Sequence, residues 1–121
     1  MPHDPTDLRN RTKMYALRII RLFQTLPKSG EAQVIGKQIL RSGTSVGAQY
    51  REACRAKSSA DFINKMEGSL QELDESSYWL ELLAESKIMP AEQLANLQKE
   101  NDELTAIFVT SVKTAKRNRN A

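Results

Sequence analysis

The chain has a single cysteine, Cys54, and a single histidine, His3. One cysteine cannot close an intrachain disulfide, which suits a reducing compartment. A zinc site built from cysteine and histidine is excluded by count, and so are the paired Glu-x-x-His motifs of a di-iron bundle. A Ser-His-Asp triad has only His3 to draw on, in a short N-terminal segment expected to lack order. Apolar runs are short. None exceeds four residues, as in Met14 to Leu17, far below the ~18 that a membrane span requires. The opening residues MPHDPTD lack the basic-then-apolar layout of a signal peptide, so a cytoplasmic location with no membrane contact is expected. Aromatic residues make up only 6% of the chain, which argues against single-strand binding by base stacking. No stretch alternates polar and apolar residues over the length of a strand, which argues against a sheet.

What is present suits one small globular domain. The chain is 121 residues long, 40% hydrophobic and 27% charged, enough for one core and too apolar for disorder. Apolar residues recur at steps of three and four, the signature of amphipathic helices. Leu8, Thr12, Tyr15, Ile19, Leu22 and Leu26 form the first stripe, flanked by Ala16, Ile20 and Phe23, with Thr6 or Asp7 as cap. Pro27, Ser29 and Gly30 end this helix and open the next. Ser58 and Asp61 read as a capping box for a third helix, with the stripe Ile63, Met66, Leu70, Leu73, Ser77, Leu80 and Ala84. Pro90 suits the first turn of a fourth, with the stripe Leu94, Leu97, Asn101, Leu104, Phe108, Ser111 and Ala115. The expectation is an all-α, antiparallel up-down-up-down four-helix bundle spanning residues 1–121. Its helices lie near 8–26, 31–56, 59–87 and 90–116, and a basic tail frays from Lys113.

The second helix is unusual. Gly36, Leu40, Gly43, Gly47, Tyr50 and Cys54 lie within about 40° of one line on a helical wheel. Each interior glycine costs ~1 kcal/mol relative to alanine, so three on one face imply close approach by another helix, of the same chain or of a partner copy. Tyr50 and Cys54 then read as buried packing residues, and Tyr78 and Trp79 as a core or interface flank. A phosphate-binding turn at Ser42 to Ser45 lacks both the preceding strand and the Gly-Lys-Ser/Thr of a P-loop. A helix break there stays open.

Charge is segregated. Residues 1–57 carry 11 basic and 4 acidic side chains, a net of +7; residues 58–103 carry 3 and 11, a net of −8; residues 104–121 carry 4 basic and no acidic ones. Lys37, Arg41, Arg51 and Arg55 fall on one face of the second helix, and Arg11, Arg18 and Arg21 lie on one side of the first. These seven are the candidate nucleic-acid contacts, suited to backbone phosphate. The third helix carries an acidic line, Glu67, Gln71, Asp74, Tyr78, Glu81 and Glu85. Two uses of the basic face stay open: pairing with that line, inside the bundle or between copies, or binding a polyanion. Glu72, Asp74 and Glu75 crowd together, but crowded carboxylates on a helix are usually a solvated face. No catalytic residue, cofactor or metal is expected.

The run Ile35-Gly36-Lys37-Gln38-Ile39-Leu40-Arg41-Ser42-Gly43-Thr44-Ser45-Val46-Gly47-Ala48-Gln49-Tyr50-Arg51-Glu52-Ala53 resembles the central motif of the four-helix-bundle proteins encoded by intervening sequences of bacterial 23S ribosomal RNA genes. Asp61-Phe62-Ile63-Asn64-Lys65 and Ser77-Tyr78-Trp79-Leu80-Glu81-Leu82-Leu83 are similar to its later motifs. The first helix, with Tyr15-Ala16-Leu17 and Ile19 to Phe23, is similar in style, and the likeness spans residues 8–110. Gln49 stands where asparagine is more usual. The resemblance implies a bacterial, non-enzymatic bundle that assembles into a homopentameric ring. It also implies kinship with accessory subunits of diversity-generating retroelements, which are thought to engage RNA and a reverse transcriptase through basic surfaces. Itself, RNA and a protein partner are therefore the expected partners.

Overall fold

The computed structural model describes residues 5–120, with side chains from Asp7 onward; His3 lies outside the described residues. Four helices follow in order: α1 (Pro5–Thr25), α2 (Gly30–Cys54), α3 (Ser59–Glu85) and α4 (Ala91–Arg119). Sequential neighbours run antiparallel. Gly36 meets Leu26 while Gly47 meets Thr12. Ser69 donates to the Val46 carbonyl at 2.6 Å while Ser42 meets Ser76. Gln98 reaches Ser77 while Lys116 reaches Glu67. The fourth helix closes on the first, the lightest of the four seams. Diagonal helices meet only through long side chains across the core, as Tyr50 and Phe108 do with ring centroids 5.6 Å apart.

The stripe of α1 is buried as expected, from Leu8 to Leu26. Helix α1 starts earlier than the expected caps Thr6 and Asp7. Pro5 stands within its first turn, where the missing N–H costs nothing and φ is already set. Ser58 caps α3, accepting from the Asp61 N–H at 3.1 Å. Pro90 is the cap residue of α4 rather than a residue of its first turn. Helix α2 runs unbroken through Ser42 to Ser45, whose hydroxyls donate inward: Thr44 to the Leu40 carbonyl and Ser45 to the Arg41 carbonyl. Residues from Lys113 continue as helix, α4 reaching Arg119 where a basic tail was expected.

The glycine face is answered within the chain by α1. A Cβ on Gly36 would lie 2.7 Å from Leu26 Cδ1, one on Gly43 2.7 Å from Ile19 Cγ1, and one on Gly47 3.0 Å from Thr12 Oγ1. Side chains of α1 therefore fill the space that a Cβ on these glycines would take. Tyr50 is buried, but Cys54 is exposed, contrary to the expectation of a packed thiol. It is the last residue of α2, at the level where α1 is only beginning, so nothing covers it.

On α3 the buried line is Ile63, Met66, Ser69, Leu73, Ser76, Leu80 and Leu83. Ser69, Ser76 and Leu83 displace Leu70, Ser77 and Ala84 of the expected stripe, because α3 leans towards α2, its closest neighbour. Two small hydroxyl residues permit that approach and bond across it. Ser76 belongs to a polar layer spanning all four helices. Ser42 Oγ lies 2.8 Å from Ser76 Oγ, Ser76 bonds Tyr15, and Asn101 Nδ2 donates to Tyr15 Oη at 2.7 Å and to the Leu73 carbonyl at 3.1 Å. All four side chains are buried. Each group left unpaired there would cost ~1–3 kcal/mol, so the layer fixes how the helices slide past one another.

Candidate nucleic-acid interface

The structure divides the seven basic residues singled out by sequence. Arg11 and Arg41 are committed to neighbouring helices. Arg11 grips Glu100 with both ends of its guanidinium, Nη2 to Oε1 at 2.6 Å and Nε to Oε2 at 3.1 Å, and touches Glu103 at 3.1 Å. Its pKa is raised, chiefly by the hydrogen bond to Glu100. This clamp joins α1 to α4. Arg41 joins α2 to α3 through Glu72, at 3.2 Å, and Glu75. The other five, Arg18, Arg21, Lys37, Arg51 and Arg55, make no ion pair among the described residues.

The acidic line of α3 does not neutralise the basic line of α2 within the chain. Only Glu67 of that line is ion-paired, to Lys116 of α4 at 2.9 Å, while Asp74, Glu81 and Glu85 make no ion pair among the described residues. The carboxylates that do meet α2, Glu72 and Glu75, lie one position away on the wheel. They also turn to Arg41 rather than converging with Asp74.

Antiparallel topology gathers the start of α1, the end of α2, the start of α3 and the end of α4 at one end of the bundle. Cations crowd there: Arg9, Lys13, Arg51, Arg55, Lys57, Lys113, Arg117 and Arg119, none ion-paired among the described residues. Several acids near them are engaged. Glu52 holds Lys65 at 2.8 Å, Glu67 holds Lys116 and Glu103 holds Arg11, while Asp61 makes no ion pair among the described residues. Because α4 is helical to Arg119, its last cations are carried on the helix beside the ends of α2 and α3.

On this surface a groove of about 280 Å³ lies between α1 and α2, bordered by Lys13 and Arg51. The small residues Ala16, Gly47 and Ala48 leave its floor open. Thr12 and Thr44 also line it, but their hydroxyls donate to the Leu8 and Leu40 carbonyls, both within 2.8 Å. The donors left for an anion are therefore Lys13 and Arg51. Sequence reasoning missed Lys13 and Arg9, which lie off the Arg11–Arg18–Arg21 side of the wheel. The signal was their phase: both fall on the flank of α1 that faces the glycines of α2.

Burial also raises the pKa of two tyrosines. Burial is the main cause at Tyr15, opposed by its bonds to Asn101 and Ser76. At Tyr50 burial is reinforced by a hydrogen bond with Cys54, against a lowering influence of Arg9. Trp79 is half-buried against the core, and its indole N–H is buried without a hydrogen-bond partner. Tyr78 beside it, ring centroids 5.1 Å apart, is 54% exposed. Among the described residues no three or more histidine, cysteine or acidic side chains cluster to hold a metal, and no helix is long and apolar enough to cross a membrane.

Fold and surface together define a class: a four-helix bundle whose distinguishing feature is uncompensated surface charge. Residues 6–110 match the family model described as 23S rRNA-intervening sequence protein. The chain belongs to that family. A crystal structure of a protein of unknown function from the S23 ribosomal protein family of Bacteroides thetaiotaomicron is similar, with 39% sequence identity and a TM-score of 0.83. The match covers 88% of this chain and 98% of that one. No curated protein matches.

Proposed function

We propose that this protein is a non-enzymatic, cytoplasmic homo-oligomer, a pentamer as the resemblance implies, that binds structured RNA through backbone phosphates. One observation carries the proposal: eight cations at one end of the bundle lack ion-pair partners among the described residues, while Glu52, Glu67 and Glu103 near them are already engaged. Unneutralised lysine and arginine on a rigid surface displace the counterions of a polyanion, and the entropy released drives binding. Lys13, Arg51 and Arg55, on adjoining faces of α1 and α2, form the centre, with Lys37 further along α2. Of the aromatic side chains towards this end, Tyr50 and Phe108 are buried and Phe62 is half-buried against the core. Contact with phosphate therefore suits the surface better than base stacking, and sequence preference should be weak.

Reversing Arg51 and Arg55 together to glutamate should weaken RNA binding by on the order of tenfold or more near 0.15 M salt. The oligomeric mass should not change. Unchanged affinity with an intact oligomer contradicts RNA binding at this face. A second function is favoured by the unpaired acids of α3: a structural ring that holds a protein partner and uses its basic face between subunits. In that case the same substitutions dissociate the oligomer.

A further inference from the structure

Three large apolar side chains are well exposed among the described residues: Met14, Val34 and Tyr78. Two of them stand amid charge of a single sign. Met14 lies on the outer face of α1 with Arg18 and Arg21 four and seven residues on, one cationic ridge about 10 Å long. Tyr78 lies on the outer face of α3 with Asp74 four residues before, Glu81 three after and Glu85 seven after. Neither set of charges is ion-paired among the described residues.

Beside Tyr78, α3 and α4 enclose an open groove of about 440 Å³. Leu80, Ala84 and Leu94 line its floor, and Glu81, Glu85 and Asp102 stand at its rim. An apolar floor with an acidic rim repels nucleic acid and anionic membrane alike. It fits an apolar side chain carried on a helix between cations, the common mode of helix-in-groove recognition. The Met14–Arg18–Arg21 ridge has that composition.

We propose that a second copy of the chain seats the Met14–Arg18–Arg21 ridge of its α1 in the acidic α3–α4 groove beside Tyr78. Helices α1 and α3 are diagonal in the bundle, so no chain can satisfy its own groove. The contact joins two different faces, and such heterologous contacts propagate head to tail into a ring or an open chain. Arg18 and Arg21, grouped by sequence with the RNA contacts, become subunit contacts. Lys13, Arg51, Arg55 and the end of α4 stay outward for RNA. The inference rests on the oligomeric part of the function proposed above and not on its RNA part.

The test is the solution mass of the full chain, measured by sedimentation without RNA. The wild type should self-associate. Arg18→Glu with Arg21→Glu, and separately Glu81→Arg with Glu85→Arg, should each reduce the mass to that of a single chain. All four substitutions in one chain should restore it, because ridge and groove are again opposite in charge. Unchanged helical circular dichroism shows that each variant folds; if a reversal unfolds the chain, the milder glutamine pairs at the same positions should lower the mass. A wild type that stays a single chain, doubles that keep their mass, or a quadruple variant that fails to reassemble each overturn the proposal. RNA affinity of Arg51→Glu with Arg55→Glu, measured separately, reports on RNA binding alone.

Discussion

The basic end of the bundle and the acidic flank of α3 are both densely charged, yet they come by their free charge in different ways. At the basic end several acids are engaged, so Glu52, Glu67 and Glu103 cancel Lys65, Lys116 and Arg11 and leave the remaining cations over. On α3 the acids Asp74, Glu81 and Glu85 make no ion pair among the described residues, while Arg41 of α2 is taken by Glu72 and Glu75. The net charge of +3 conceals both surfaces. What a charged helix offers a partner depends on which charges the fold has already matched, and not on composition.

The comparison breaks most sharply on RNA. Arg51→Glu with Arg55→Glu should cost on the order of tenfold or more in affinity, whereas Glu81→Arg with Glu85→Arg should not weaken the binding of RNA to a single chain, compared at equal assembly state. Equal losses would mean that overall charge, and not the basic end, governs binding.

Next in size is the packing that supports the basic end. In Gly43→Ala the new Cβ meets Ile19 at Cγ1, Cγ2 and Cβ, a β-branched side chain with little rotamer freedom. Overpacking of ~1–3 kcal/mol should exceed the ~1 kcal/mol gained in helix propensity. Urea denaturation should therefore show a net loss, with the α1–α2 groove spread. A net gain would mean that the close approach is not required.

A smaller effect concerns the polar layer between the two ends. Tyr15 has a raised pKa because burial disfavours its phenolate. The stability linked to it is complete below the ordinary value of 10.0 and is lost as pH climbs through that value towards the raised one. Denaturation followed from pH 8 to about 11.5 should show this fall, and Tyr15→Phe should flatten it. Buried Tyr50 shifts in the same direction, so the flattening should be partial.

The smallest effect lies at the acidic end. Lys87 follows α3 with φ 62°, a left-handed position that suits glycine. Lys87→Gly should relieve strain and stabilise the chain by about 1 kcal/mol or less. A loss would mean that the ammonium beside the acidic flank matters more than the backbone.

The four helices were legible because each stripe has a regular three-four spacing, and the stripe read on α1, from Leu8 to Leu26, is the one the fold buries. The glycine face announced close approach, but its answer, Ile19 and Thr12 of α1, required the fold. Errors arose where burial departs from the wheel. Cys54 shares a line with Gly43 but outruns its neighbour helix. Ser69 and Ser76 are buried because α3 tilts to α2, which no single-helix pattern reveals. The candidate interface was half legible. Arg51 and Arg55 stand out on their own helix, but the pairing of Arg11 with Glu100 spans 89 positions and was invisible. Lys13 joined the site only once α1 was laid against α2.

The central claim is that the basic end meets phosphate. Its most direct test is the salt dependence of RNA affinity for the wild type and for Arg51→Glu with Arg55→Glu, with the mass followed in the same buffers. The plot of log affinity against log salt should be steep for the wild type and shallower for the variant by roughly 1.4–1.8, about 0.7–0.9 for each phosphate contact removed. Identical slopes and affinities at constant mass would contradict the account.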